Sequence, residues 1–243
     1  FLKQIFTLDF GNSFTYQMPV SELLASRFPV TLALTLMSTV ISLVISLPLG
    51  YFAGVHKDRL GDQVVRTTSL VAISMPSFWV GLLLMIVFAL KLKWLPAGGW
   101  SDTLLGQFRC LILPAVTQSL MTSALLLRNT RNSVVDITRM DYVDFARSKG
   151  ITSGEVRTRH VMRNAMISTV TLLSMRMAAM LGGSVIIETV FSVPGIGKLA
   201  SDAIFGRDYA VVQYVVLLFA VLVLVINLIT DILYSFLDPR VNL

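Results

Sequence analysis

Residues 192–199, Ser-Val-Pro-Gly-Ile-Gly-Lys-Leu, come within two positions of a phosphate-binding loop. Such a loop needs Gly, four residues, then Gly-Lys-Ser/Thr, so that backbone N–H groups cradle phosphate and the hydroxyl holds magnesium. Here Ser192 stands at the first glycine and Leu199 at the hydroxyl, so nucleotide chemistry is not expected of this chain. Pro194-Gly195 instead reads as a turn, and Gly197 as a second flexible point in an ordered loop. The two histidines, His56 and His160, lie outside the apolar runs, and no serine within those runs has a basic partner. Catalysis at depth therefore lacks its acid, base and nucleophile. Met175, Met177 and Met180 are soft donors, but offsets of two and five residues do not bring them to one side of a helix. Packing is expected of them, and no metal site.

The elements that must position these residues are apolar. Of 243 residues, 55% are hydrophobic and 14% charged, with a mean hydropathy of +0.75; soluble domains carry about 25% charged residues. Runs 30–52, 67–90, 111–127 and 209–230 hold no charge, and run 165–187 holds only Arg176. Crossing the hydrocarbon takes roughly 20 apolar residues as helix. Five spans are predicted, with 111–127 at the short limit and Pro48, Pro76 and Pro114 each interrupting one. The single cysteine, Cys110, excludes an internal disulfide.

Arg176 sits in the middle of its run. A cation there costs about 2.5–3.5 kcal/mol on insertion scales, so it must face protein or a water-filled cavity. On a helix, Ala179, Met180 and Gly183 share its face, and the small residues leave room beside the guanidinium. Pathway lining and a structural contact between helices both satisfy this. No acid within the chain lies at matching depth; Glu188 and Asp231 stand near span ends. Ala178-x-x-x-Gly182 and Ala179-x-x-x-Gly183 suit close helix crossing, either within the chain or at a seam with another subunit.

Basic residues stay preferentially on the cytoplasmic side. The segment after the third run holds Arg128, Arg131, Arg139, Arg147, Lys149, Arg157, Arg159 and Arg163, which puts it inside, with the C-terminus. Residues 1–28 then lie outside as an N-terminal segment, and 29–243 form the transmembrane domain with a cytoplasmic loop at 128–164. An outside start, too polar for a signal peptide, leads to the expectation of a further helix upstream. The net charge of +6 follows from the loop bias, and no nucleic-acid partner is expected.

Within that loop Tyr142, Phe145 and Ala146 fall at i, i+3 and i+4, one face of a short helix. Gly150 is a natural stop. Thr152-Ser153-Gly154-Glu155 reads as a capping box, with Glu155 reaching back to Thr152, and opens a second helix that runs into the fourth span. The first helix could lie on the membrane with its basic residues near anionic lipid, or present an aromatic knob to a cytoplasmic partner.

The pattern Asp144-Phe145-Ala146, three residues, then Gly150 resembles the EAA loop of binding-protein-dependent ABC importer permeases. "YVDFARSKG" with "RHVMRNA" is similar to the peptide and nickel subfamily's form of that loop. "LDFGNSF" at 8–14, "SMPSFW" at 74–79, "FSVPGIG" at 191–197, "RDY" at 207–209 and "LDPR" at 237–240 agree, so the resemblance covers essentially the whole chain. It implies an all-α, type I importer permease fold whose first span of six is absent here. It implies that Tyr142, Asp144, Phe145 and Ala146, ended by Gly150, form the coupling helix that sits in a groove of a cytoplasmic ATPase subunit. It implies that the loop of Pro194, Gly195 and Gly197 shapes the outer mouth and faces a solute-binding protein.

The implied assembly is a second homologous permease, two ATPase subunits that hold the ATP and magnesium, and the solute-binding protein, in a bacterial inner membrane. The implied solute is a peptide, a nickel ion or a metal chelate. Two departures stand out. Asp144 replaces the motif's Glu, shortening its reach, and Ser168 stands where a proline is usual, leaving the entry to the fourth span straighter. A cation at Arg176, where a neutral polar residue is expected, hints at an anionic solute. The competing reading, a transporter driven by an ion gradient, calls for internal repeats and paired ionisable groups, and the sequence offers neither.

Overall fold

A computed structural model describes residues 10–237. The parts of the 1–28 segment and of the 8–14 motif that fall on residues 1–9, the motif residues 238–240, and the position of the C-terminus lie outside the described residues. The described chain is helical without a named strand: α1 (Val20–Val55), α2 (Leu60–Ser74), α3 (Ser77–Leu84) running on as π-helix through Met85–Lys91, α4 (Leu104–Thr138), α5 (Asp141–Ser148), α6 (Ser153–Glu155), α7 (Arg163–Val190), α8 (Ile196–Phe205) and α9 (Tyr209–Leu237). A π-helical stretch, Val156–Met162, joins α6 to α7.

Among the described residues, four helical stretches are long and apolar enough to cross a membrane: Val20–Val55, Leu104–Thr138, Ser153–Val190 and Tyr209–Thr230. At 36 residues α1 is about 54 Å long, well over the ~30 Å hydrocarbon, and a division at residue 28 falls inside it. The expected second span is not one helix. It is broken between α2 and α3, at Met75 and Pro76. Pro76 lacks an N–H and pushes its predecessor out of helical geometry; Met75 is extended, with φ −87° and ψ 130°. Pro48 and Pro114, expected to interrupt their spans as well, lie inside the continuous helices α1 and α4.

The chain divides into two compact units. One contains the segment ending at Ser38, Pro76–Gln118 and Met177–Ile226. Its core packs Val20 and Leu23 of α1 against Ile196 and Leu199 of α8 and Val211 and Val215 of α9. Gln118 Nε2 donates to the Met180 carbonyl at 2.9 Å, so a buried amide ties α4 to α7 without exposing a polar group.

The other unit contains Thr39–Met75, Ser119–Arg176 and the segment from Asn227. Its core joins Val134 and Ile137 of α4 to Val143, Ala146, Val156, Val161 and Ala165. Here α1 crosses α4 closely. A Cβ added at Gly50 would lie 2.8 Å from Thr130 Cβ, and one at Gly54 2.7 Å from Val134 Cβ. This small-x-x-x-small contact is made within the chain. Gly182 and Gly183, the pair expected to serve close crossing, have nothing within 4 Å of an added Cβ.

Candidate functional site

The short helix α5 follows extended Met140 and carries Asp141 and Asp144 in its first turn and Arg147 in its last. Each charge complements the helix dipole at its end, and Arg147 Nη1 lies 3.2 Å from Asp144 Oδ1. The face expected from spacing is divided in two. Val143 is fully buried and Ala146 is 6% exposed, both in the core beneath the helix. Ala146 is thus part of the seat, not of an exposed knob. Phe145 stands 61% exposed on the other side. Both arrangements have helical spacing, but only the Val143–Ala146 face has Val134, Val156 and Val161 available to cover it.

Tyr142 lies back along the next helix. Its hydroxyl donates to the His160 carbonyl at 3.4 Å and accepts from Asn164 Nδ2 at 3.1 Å. Lys149 Nζ sits 4.5 Å from the Phe145 ring centroid, within cation–π range, so the aromatic edge is also electropositive. Gly150, at φ +78°, takes the left-handed conformation that ends helices, and its N–H donates to the Arg147 carbonyl at 2.9 Å. Thr152 caps the next helix, its hydroxyl accepting from the Glu155 N–H at 3.4 Å. The Glu155 carboxylate pairs with Arg159 at 3.6 Å instead of reaching back, so half of the expected capping box forms.

The residues expected along the pathway separate in the same way. Met180 is 5% exposed and buried inside the first unit, while Ala179 and Gly183 lie on the exposed side of α7. Arg176 is half-buried, and its Nε is enclosed with no hydrogen-bond partner among the described residues. The sequence puts the cation in the middle of its run; the structure adds that its Nε has no partner among the described residues.

The glycine loop has a cause the sequence did not reveal. Glu188, fully buried near the end of α7, is its anchor. Thr31 Oγ1 donates to Glu188 Oε1 at 2.8 Å, the Lys198 N–H donates to Oε2 at 2.9 Å, and the Ile196 N–H donates to Thr31 Oγ1 at 2.8 Å. The carboxylate thus sits on the N-terminus of α8, where free N–H groups and the dipole favour an anion. A side chain at Gly195 would strike Glu188 and Thr31, and one at Gly197 would lie 2.6 Å from Val185 Cα. The same geometry explains the near-phosphate loop: its anion position is filled by the protein's own carboxylate, and Lys198 Nζ is held by Asp202 at 3.0 Å.

Asp208, in the turn between α8 and α9, is also buried. Burial alone would push its carboxyl up. Donation from Ser13 Oγ at 2.6 Å, the Thr15 N–H at 3.0 Å and the Val211 N–H at 3.4 Å outweighs burial and holds it below the ordinary carboxylate value.

Four apolar helical stretches of membrane-crossing length, a further broken pair, and a polar helix seated on a packed base are the features of a multi-span membrane protein. The chain matches the family described as binding-protein-dependent transport system inner membrane component over residues 46–243, and it belongs to that family. It is 38% identical to a Brucella suis protein provisionally named a peptide transport system permease, over 99% of this chain and 78% of the relative. It is also 38% identical to the glutathione transport system permease protein GsiC of Salmonella typhimurium, over 100% of this chain and 78% of the relative. In fold it is similar to the inward-facing MetNI methionine ABC transporter, with a TM-score of 0.74, 18% identity, and coverage of 90% and 97% of the two chains. An amino acid ABC transporter aligns with a TM-score of 0.67 and 16% identity over 88% of this chain and 94% of that one. The chain is a permease subunit of an ATP-driven importer.

Proposed function

We propose that this chain forms half of a pathway for a peptide and that α5 is where ATPase motion enters it. The observation that carries the reading is the seating of α5: Val143 and Ala146 are held in the core while Phe145 stands uncovered on the opposite side. A helix fixed on one face and aromatic on the other transmits a push without deforming. In this reading the ATPase groove receives Phe145 and the edge of Tyr142, and Gly150 sets the turn that returns the chain to α7. Asp144 sets the first-turn charge of the docking helix.

The end of the molecule bearing α5 is cytoplasmic, as is the C-terminus, and the loop of Pro194, Gly195 and Gly197 meets a solute-binding protein on the other side. A second, related permease completes the pore, and two ATPase subunits hold the ATP and magnesium, so this chain performs no bond chemistry. The names of the relatives support a peptide as the solute, and the cation at Arg176, with its Nε unpartnered among the described residues, supports one bearing a carboxylate.

The test is uptake into proteoliposomes containing the permease pair, the ATPases and the solute-binding protein. Uptake is expected to require internal ATP and the binding protein; uptake driven by a proton or sodium gradient without ATP refutes the reading. Arg176→Gln is expected to slow an anionic peptide more than a neutral one. An equal proportional slowing of the two peptides in that variant, relative to the parent, refutes the role given to the arginine.

A further inference from the structure

The second unit contains a cavity of about 250 Å³ between the end of α1, α2 and α4. It is separate from α5 and from the glycine loop. Lys57, Arg66, Arg128 and Arg131 line it, with Asp58 as its one acidic residue. These cations are not equally engaged. Arg131 is spent on Asp62 below the cavity, with Nε at 3.0 Å from Oδ1 and Nη2 at 2.6 Å from Oδ2. The Asp58 N–H donates to the same buried carboxylate at 2.9 Å. Lys57 approaches only the exposed Asp58, at 3.9 Å. Arg66 and Arg128 make no hydrogen bond and no ion pair among the described residues; Arg66 is near enough to Asp62 to favour its charged form without touching it. The cavity thus has an ion-paired floor and surplus positive charge at its rim.

The wall matters as much as the rim. Leu70 and Ile73 follow Arg66 at i+4 and i+7 on α2, so the apolar wall continues the same helix face as the cation. On α4, Leu127 adjoins Arg128 in the same lining. Two arginines with free donor forks match phosphate oxygens. A soluble phosphate has no use for a hydrocarbon wall, whereas a phospholipid uses both parts. Basic pockets between membrane helices on the cytoplasmic side are the setting in which anionic headgroups bind, and this end of the chain is the basic one.

We propose that this cavity binds the phosphate of an anionic phospholipid, held by Arg66 and Arg128, with its acyl chain along Leu70, Ile73 and Leu127. The probe is phosphatidylglycerol, titrated into the purified importer complex in neutral detergent and read as retained lipid by native mass spectrometry. Phosphatidylcholine and glycerol 3-phosphate are the parallel arms. Each basic residue beside an anionic headgroup is worth about five-fold in binding, so Arg66→Gln with Arg128→Gln is expected to weaken retention roughly thirty-fold.

Arg139→Gln, an exposed position in the turn after α4 and outside the cavity lining, removes a charge as well and is expected to change nothing. Leu70→Asn is expected to weaken phosphatidylglycerol and leave glycerol 3-phosphate unaffected. Undiminished retention by the double variant overturns the proposal, as does an equal loss in Arg139→Gln, which would mean general surface charge. Displacement of the lipid by glycerol 3-phosphate at matching concentration also overturns it, in favour of a soluble anion.

Discussion

Phe145→Ala separates the proposed docking from folding, because the structure leaves Phe145 uncovered and buries Val143 and Ala146 on the other side of the same short helix. Phe145 is 61% exposed. Full burial of such a side chain is worth ~1.5–3 kcal/mol, so the exposed share offers roughly 1–2 kcal/mol to a partner groove. That corresponds to about five- to thirty-fold in affinity for the ATPase. Within the chain, truncation removes little beyond the Lys149 contact, so the melting temperature of the isolated permease in detergent is expected to stay where it is. Val143→Ala is the counterpart. It removes two buried carbons from a fully covered position and is expected to cost about 2 kcal/mol of stability from transfer and cavity together. The assay is solute taken up per ATP hydrolysed in proteoliposomes, beside thermal melting of each variant. Phe145→Ala is expected to lower the ratio, or the ATPase affinity, at unchanged melting. If it keeps both ratio and affinity, Phe145 does not dock. If it melts early like Val143→Ala, its role is in the fold.

Two further expectations concern the first unit. Gly195→Ala forces a Cβ into Glu188 and Thr31 and is expected to cost about 1–3 kcal/mol, as overpacking does; combined with Glu188→Ala, the two losses in melting temperature are expected to be less than additive, and full additivity refutes the clash. Asp208 has a folded pKa below its unfolded value, so the stability it contributes is present above the unfolded carboxylate value of about 3.9 and is lost as pH falls through the folded one. The melting-temperature gap between the parent and Asp208→Asn is therefore expected to be constant near neutrality and to close below about pH 4; a gap that persists into acid refutes the linkage.

The class of the molecule was legible because charge-free runs of about 20 residues have few other uses, and the hairpin-like segment around Gly150 because caps and left-handed glycines are local chemistry. What was not legible depended on neighbours distant in sequence. Three prolines looked alike in the runs, yet Pro48 and Pro114 lie within continuous helices and only Pro76 stands at a break. Glu188 looked like a span-end acid, because nothing local announces that Thr31, 157 positions away, donates to it. The glycines of residues 195–197 were read as flexibility, whereas they make space for that carboxylate. Ala146 was grouped with Phe145 because spacing identifies a face without saying which face is covered.

That last ambiguity is instructive about subunits in general. A helix in a self-contained domain buries its most apolar face, so periodicity alone predicts orientation. A helix meant for a partner keeps a second face uncovered, and the chain's own contacts reveal it by default. Here the uncovered faces differ in chemistry. On α5 it is an aromatic ring beneath a lysine, flanked by exposed charges, which suits a groove on a water-soluble protein. On α7 it is Ala179, Gly182 and Gly183, with open space where their side chains would project, which suits the backbone of another membrane helix. At Gly50 and Gly54 the same small-residue device is already filled from within by Thr130 and Val134. The contrast gives a sharp criterion: bulky substitution at Gly54 should damage the isolated chain, whereas at Gly183 it should leave the isolated chain intact and fail only when the second permease is added.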